Sequence, residues 1–388
     1  MVRGFVFAAL LAACSSPAKP VKHVDPHKAE KQQQKSLLTQ AKEHEKEGEY
    51  DDADNAYAQL YETTKSFDNL ELRVEFLIRV GRASKAVDVS KAYYDANLSD
   101  SKGVGLYTTA LLAAGRGVDA MDKADEMLGF NPNDPAGHEK KGQALILVDK
   151  AEQGLIELRK AVELDGKTST YHLSLGNALI KLGKVDEAAL EFRAAIKVGS
   201  DEAETHAMLG QALRLQSEFD EAKHELDRAI ELDGRNGRAY FELGLLYNAQ
   251  KKQADAEQAL SKAVQLSPNE SLFWYAYGEI FRLSDRNDEA INAYKKAVDL
   301  DPPYPKALTK LGYLLTQRKQ YDEAEVILTQ AVRRDAKNPQ NYLPLGVVYA
   351  AKRKPKQAIE NYELFLKYAP KNDPDRAKVQ NAISELKR

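Results

Sequence analysis

Apolar positions along most of this chain recur with two periods at once. In one kind of segment they fall at i, i+3, i+4 and i+7, as at Tyr240, Leu243, Gly244 and Tyr247, which marks one face of an α-helix. A second amphipathic segment follows after a short polar break, with Ala256, Leu260 and Ala263 on its apolar face. The pair of segments then starts again. Glycines stand at Gly142, Gly176, Gly210, Gly244, Gly278, Gly312 and Gly346, each 34 residues from the last.

Two further columns keep the same step. Twelve residues after each glycine stands Gly154, Ala188, Ala222, Ala256, Ala290, Ala324 or Ala358; seven further on stand Ala161, Ala195, Ala229, Ala263, Ala297 and Ala331, until Phe365 ends the series. Small side chains at a helix crossing let two backbones approach closely while bulky ones fill the grooves beside them. The pattern therefore predicts helical hairpins that stack. Acidic pairs such as Asp186-Glu187, Asp220-Glu221, Asp288-Glu289 and Asp322-Glu323 open the second helices, where acids cap free amides and favour the helix dipole. Pro268, Pro302 and Pro370 close repeats where a helix must stop.

A 34-residue helix–turn–helix with these columns resembles the tetratricopeptide repeat. The resemblance implies an all-α fold, a right-handed superhelical solenoid. Seven regular repeats cover 135–372 and three degenerate ones cover 34–134. Leu111, Ala120 and Pro132 fit a repeat over 101–134, Leu77 and Ala86 one over 67–100, and Ala41, Ala53 and Tyr57 one over 34–66 that is a residue out of step. At the end, 373–388, Asp373-Pro374 reads as an N-cap and first helical residue; Val379, Ala382, Ile383 and Leu386 form the apolar stripe of a capping helix that covers the open end of a solenoid.

The N-terminus departs from this pattern. Arg3 and an apolar run from Phe5 to Ala13 suit a secretory signal peptide over 1–13; the run is too short to span a bilayer, which takes roughly 20 residues. Leu11-Ala12-Ala13-Cys14 resembles the lipobox of bacterial lipoproteins, and Cys14 is the chain's one cysteine. That resemblance implies a lipid on Cys14 and a membrane anchor. Ser15 after the cysteine, with no aspartate, points to the outer membrane under the enterobacterial sorting rule, the inner membrane being the other destination. Residues 14–33, rich in Pro, Lys and Gln, read as a flexible tether; Pro20 and Pro26 argue against a helix that would bring His23 and His27 together.

Composition narrows the function. A net charge of −3, with 56 basic against 59 acidic residues, gives no footprint for nucleic acid. Gly103-Val104-Gly105 lacks the third glycine and preceding strand of a phosphate loop, and no nucleophile motif is present, so the chain reads as a binding protein and not an enzyme. No cofactor is expected. His138, His172 and His206 share a column with Tyr240, Trp274 and Tyr342. Equivalent residues in stacked repeats stand on the order of 10 Å apart, too far to share one ion at about 2 Å, so these histidines are expected to pack as the aromatics do, and no metal is expected.

The first helices of stacked hairpins line the concave side. The family resemblance places peptide contacts at positions two, five, nine, twelve and thirteen of each repeat. Those columns hold Gln143, Asn177 and Gln211, then Phe241, Tyr275 and Leu343 with Leu245 and Tyr313 beside them, and Arg214, Asn248 and Arg282. The groove is thus expected to run from polar amides to aromatics with scattered arginine. The lysine-then-asparagine clamp of chaperone adaptors is missing, since Asn177 follows Leu173, so an acidic chaperone tail is not the expected ligand.

The sequence thus suggests a scaffold anchored at the periplasmic face of the outer membrane that binds other envelope proteins and docks or assembles a pilus, secretion or motility complex. In architecture it is similar to the pilotin lipoproteins of type IV pili. Two other readings stay open: an adaptor recruiting cell-wall hydrolases or proteases, and an enzyme or small-ligand receptor, which needs a deep pocket.

Overall fold

The structure, a computed structural model, describes residues 26–300 and 304–388. Every regular element among them is an α-helix, and the chain divides into two compact units, Met1–Phe130 and Asn131–Arg388. Cys14 and the rest of the signal-peptide and lipobox reading lie outside the described residues. No described helix is long and apolar enough to cross a membrane.

The first unit holds three hairpins: α1–α2 (Pro26–Glu47, Tyr50–Thr64), α3–α4 (Phe67–Arg79, Ala83–Ala96) and α5–α6 (Ser101–Ala113, Gly117–Phe130). The tether read over 14–33 is corrected for 26–33, because α1 begins at Pro26; residues 14–25 lie outside the described residues. Proline is suited to a helix start, where its missing N–H would have no partner.

The second unit has seven hairpins. They are α7–α8 (Pro135–Leu147, Ala151–Leu164), α9–α10 (Ser169–Lys181, Val185–Lys197), α11–α12 (Ala203–Leu215, Phe219–Leu232) and α13–α14 (Gly237–Ala249, Gln253–Leu266). Then follow α15–α16 (Ser271–Leu283, Asn287–Asp299), α17–α18 (Pro305–Gln317, Tyr321–Arg334) and α19–α20 (Pro339–Ala351, Pro355–Tyr368). A last helix, α21 (Arg376–Leu386), packs Val379 and Ile383 against Tyr362 and Phe365 of α20.

The small-residue columns make this stacking possible. Alanines 188, 222, 256, 290, 324 and 358 are fully buried. A Cβ added to Gly244 would stand 2.6 Å from Leu260 Cγ, so the two helices of a hairpin touch where only a hydrogen fits. Each hairpin turn closes in the same way. Residues such as Asp149, Ser217, Lys251, Asp285, Lys319 and Arg353 take φ of 55–68°, while Gly183 takes +72°. The next N–H then reaches back to the first helix, as Lys150 N does to Leu145 O at 2.9 Å, the Schellman arrangement.

Two boundary expectations are corrected. The acids lie in the first turn of the second helices and not at the N-cap: Lys184, Glu218, Arg286 and Gln320 occupy the N-cap positions, and none makes a side-chain cap bond. Some of the acids reach other repeats, as Asp186 Oδ1 accepting from Gln216 Nε2 at 2.8 Å and Asp322 from Lys352 Nζ at 2.5 Å. Asp373-Pro374 does not open the last helix either. Asp373 accepts from Asp375 N at 2.9 Å in a turn, and α21 starts at Arg376.

Candidate protein-binding groove

Among the helices of the second unit, first helices of successive hairpins touch one another, as α7 touches α9 and α11 touches α13. Each second helix meets instead the first helix of the following hairpin, as α10 meets α11. The first helices therefore form the tighter, inner face. The sequence-predicted contact residues lie along it, but many are already engaged.

At the start, Gln143 Nε2 donates to Glu139 Oε1 at 2.8 Å and to Ser174 Oγ at 2.9 Å, and Ser174 Oγ donates to the same carboxylate at 2.6 Å. Asn177 is exposed. Further on, Arg238 Nη1 binds Glu204 Oε1 at 2.7 Å while its Nη2 donates to Gln211 Oε1 at 2.9 Å. Arg214 holds Glu242 through Nε at 2.9 Å and Nη2 at 2.8 Å. Burial pushes the Glu242 carboxyl above its ordinary range, and the Arg214 charge opposes that rise without cancelling it.

The aromatic stretch also differs from expectation. Phe241 is not a free contact residue: it is buried, and stacks on Phe273 with centroids 4.3 Å apart. Its edge contributes to a cleft of about 510 Å³ that Glu204, Gln211, Arg238 and Leu272 also line. Leu245 and Asn248 are half-buried. Tyr275 lies 4.7 Å from the Tyr304 ring and 5.9 Å from that of Tyr294; burial and then the Glu279 charge push its hydroxyl up to about 12.

Glu279 is the hub of this region. Arg282 reaches it with Nη2 at 2.9 Å and the Tyr294 hydroxyl donates to it. Burial alone would raise its carboxyl; those hydrogen bonds and the Arg282 charge bring it below its ordinary value. Beyond this hub the face opens. Tyr313 is 47% exposed and lines a cavity of about 360 Å³ with Arg282, Lys310, Leu343 and Phe365.

The sequence reading missed Glu139, Glu204, Arg238, Glu242 and Glu279. Two of these pairs stand at repeat-scale offsets: 28 residues from Arg214 to Glu242 and 34 from Glu204 to Arg238. Pairing opposite charges between neighbouring repeats finds those, whereas Glu279 pairs with Arg282 on its own helix and Glu139 with the uncharged Gln143 and Ser174.

The histidine column pins hairpins together. His138 Nδ1 meets Glu157 Oε2 at 2.6 Å and its Nε2 meets Pro132 O at 3.1 Å; His172 does the same with Glu191 at 2.7 Å and Gly166 O at 3.1 Å. His206 lies between Glu225 at 2.6 Å and Asp201 at 2.9 Å. Trp274 Nε1 and Tyr342 OH take the same carbonyl, six residues back, at 2.8 and 2.7 Å. Among the described residues the group that brings three ligand atoms within 4.8 Å is His44, Glu47 and Glu49 at the α1–α2 turn. It lies at the surface, and His44 Nδ1 is already 2.6 Å from Glu49 Oε2.

Family comparisons match this architecture. A tetratricopeptide-repeat model matches residues 150–205, 173–222 and 207–271, and the model of the cytochrome c-type biogenesis protein H TPR domain matches 258–376. The chain is a tetratricopeptide-repeat protein. No curated protein matches it in sequence. Among solved structures, a chain of the APC/C hetero-tetramer Cut9-Hcn1 is 15% identical with a TM-score of 0.58; the match covers 89% of this tetratricopeptide-repeat chain and 60% of that one. The human IFIT1 dimer with PPP-AAAA is 15% identical, TM-score 0.53, over 89% of this chain and 95% of its own. PilF of Pseudomonas aeruginosa is 20% identical, TM-score 0.50, over 55% of this chain and 96% of its own. At these identities the likeness establishes the superhelical tetratricopeptide fold, a framework for protein–protein interaction.

Proposed function

We propose that this protein is a lipid-anchored scaffold at the periplasmic face of the outer membrane. It docks or assembles a multiprotein envelope complex, of pilus, secretion or motility type, through the inner face of its second unit. It works by binding and not by catalysis. The observation that carries this reading is the change along that face. From Glu139 to Arg282 the charged groups are largely satisfied by one another, whereas at the far end Tyr313 is exposed beside a cavity floored by Leu343 and Phe365.

An exposed tyrosine beside a cavity lined by both apolar and charged side chains (Leu343, Phe365, Arg282, Lys310) offers large contact area at low entropic cost, the usual makeup of an interface hot spot. The rest of the face supplies polar complementarity. The lipobox at Cys14 supports the anchor, and its one-cysteine context supports a role for that thiol in lipidation. Replacing Tyr313 and Leu343 together by alanine tests the groove. Partner recovery after crosslinking should fall severalfold while helicity is unchanged; undiminished recovery would overturn the groove assignment. Recovery of a hydrolase or protease in place of assembly components would favour the adaptor reading.

A further inference from the structure

Charge is not spread evenly along this chain. Of its 56 basic and 59 acidic side chains, 17 and 9 lie in 306–388, a surplus of eight positive charges in a chain whose total is −3. The reversal is sharpest where one repeat passes into the next. There, residues 163–167, 197–201, 231–235, 265–269 and 299–303 together hold three cations and seven acids. The same columns at 333–337 and 367–371 hold five cations, Arg333, Arg334, Lys337, Lys367 and Lys371, and one acid, Asp335. Arg334 also replaces the apolar residue of the repeat, which is Leu164, Val198, Leu232, Leu266 or Leu300 in the others.

All five cations are exposed, and none makes an ion pair among the described residues. Lys367 Nζ stands over the Tyr368 ring, 5.2 Å from its centroid, and Asp335 accepts from Lys337 N at 3.2 Å. Residues 372–378 add two acids and two cations, with Asp375 meeting Lys378 at 3.2 Å, so they leave the surplus unchanged. The helix dipole does not account for the reversal. It favours a cation in the last turn of every second helix, yet Glu163, Glu231 and Asp299 stand where Arg333 does.

We propose that this basic edge, formed by the α18–α19 and α20–α21 loops, lies on the anionic headgroups of a phospholipid bilayer. None of the five cations lines the cleft or the cavity of the inner face. A row of long, hydrated side chains on two adjoining loops offers no pocket to select the shape of a partner segment. It does match a plane of anionic charge, to which clustered Lys and Arg are drawn additively. The inference rests on the lipid anchor proposed above, which keeps a bilayer within reach of the chain. A lipid anchor and a basic patch then act as two signals for one membrane. Screening at physiological salt keeps the contact weak by itself, so it orients a chain that the acyl groups hold and does not replace them. The first helices carry none of the five, which leaves the inner groove open to a partner.

The full chain with Cys14→Ser, which carries no acyl group, tests this at low ionic strength. It is mixed with vesicles of phosphatidylcholine alone and with vesicles of phosphatidylcholine and phosphatidylglycerol. The ratio of the two partition coefficients reads charge, because the apolar run over 5–13 contributes equally to both. Each cation in the contact raises that ratio roughly fivefold, so Arg333→Gln, Arg334→Gln and Lys337→Gln together should lower it by about 100-fold. Lys167→Gln, Lys197→Gln and Arg235→Gln together change the net charge by the same amount in the same columns of earlier repeats, where acids prevail. They should leave the ratio within about twofold, the loss of less than one contacting cation. All six residues are exposed, and circular dichroism checks that each variant is folded. Because no acyl group takes part, the result stands apart from whether Cys14 is lipidated in cells. An equal fall in both triple variants would overturn the proposal. So would a ratio near unity for the parent, which would point instead to an acidic protein as the occupant.

Discussion

Gly278 lies against the ring of Tyr294, so that a Cβ on the glycine would stand 2.6 Å from Cε1 and 2.7 Å from Cδ1. The ring cannot retreat, because it is fully buried and its hydroxyl is tied to Glu279. Gly278→Ala should therefore destabilise the protein by up to about 2 kcal/mol: the overpacking cost of roughly 1–3 kcal/mol is offset by a gain of about 1 kcal/mol in helix propensity. Gly129→Ala is the control. Nothing lies within 4 Å of its added Cβ, so it should be neutral or stabilising. Denaturant midpoints of the two variants decide the matter, and an equal effect at both sites would contradict the packing account.

The hairpin turns hold a second, opposite prediction. Lys319 has φ of +61° and is exposed, while Gly183 takes the same turn position without a side chain. Left-handed backbone costs a non-glycine residue roughly 1–2 kcal/mol, and glycine gives back up to about 1 kcal/mol in unfolded-state entropy. Lys319→Gly should thus raise stability by up to about 1 kcal/mol, read as a higher melting temperature. A lower one would show that the lysine side chain supplies something the turn needs.

Acid should expose the role of Glu279. Its folded carboxyl titrates below the ordinary value of 4.5. The stability it contributes is therefore complete above pH 4.5 and is lost as pH falls through the lower, folded value. Glu279→Gln should be less stable than the parent at neutral pH, and the gap should close in acid. Urea melts at pH 7 and at about pH 3 measure it; a gap that stays constant would remove the ion from the account.

The anchor is tested separately. Cys14→Ser should move the protein from the membrane fraction to the soluble fraction, since two or more acyl chains at about 0.8 kcal/mol per buried methylene hold a protein stably. Continued sedimentation with membranes would end the lipoprotein proposal without touching the groove.

The architecture was legible because repetition writes the same packing constraint many times. A single glycine such as Gly210 is uninformative; seven in step can only be a close helix contact. The starts of the second helices were legible to within a residue, since Asp186 and Glu187 lie in the first turn of α10, but the partner of the acid was not, because Asp186 accepts from Gln216 of the next repeat. The groove was legible in place but not in availability. Phe241 shares its column with Tyr275, yet whether either faces a partner depends on Phe273 and Tyr304 in the adjoining repeat. Hydrophobic periodicity carries no such information, whereas charge offsets of 28 and 34 residues do.

The account rests most heavily on the inner face being the surface that partners occupy. A photo-activated crosslinking residue placed in turn at Tyr313, on that face, and at Val326, 57% exposed on the second helix of the same repeat, measures this in intact cells. The account predicts a discrete, reproducible crosslinked protein from position 313 and none of that identity from position 326. Adducts of equal yield from both positions, or from 326 alone, would contradict it.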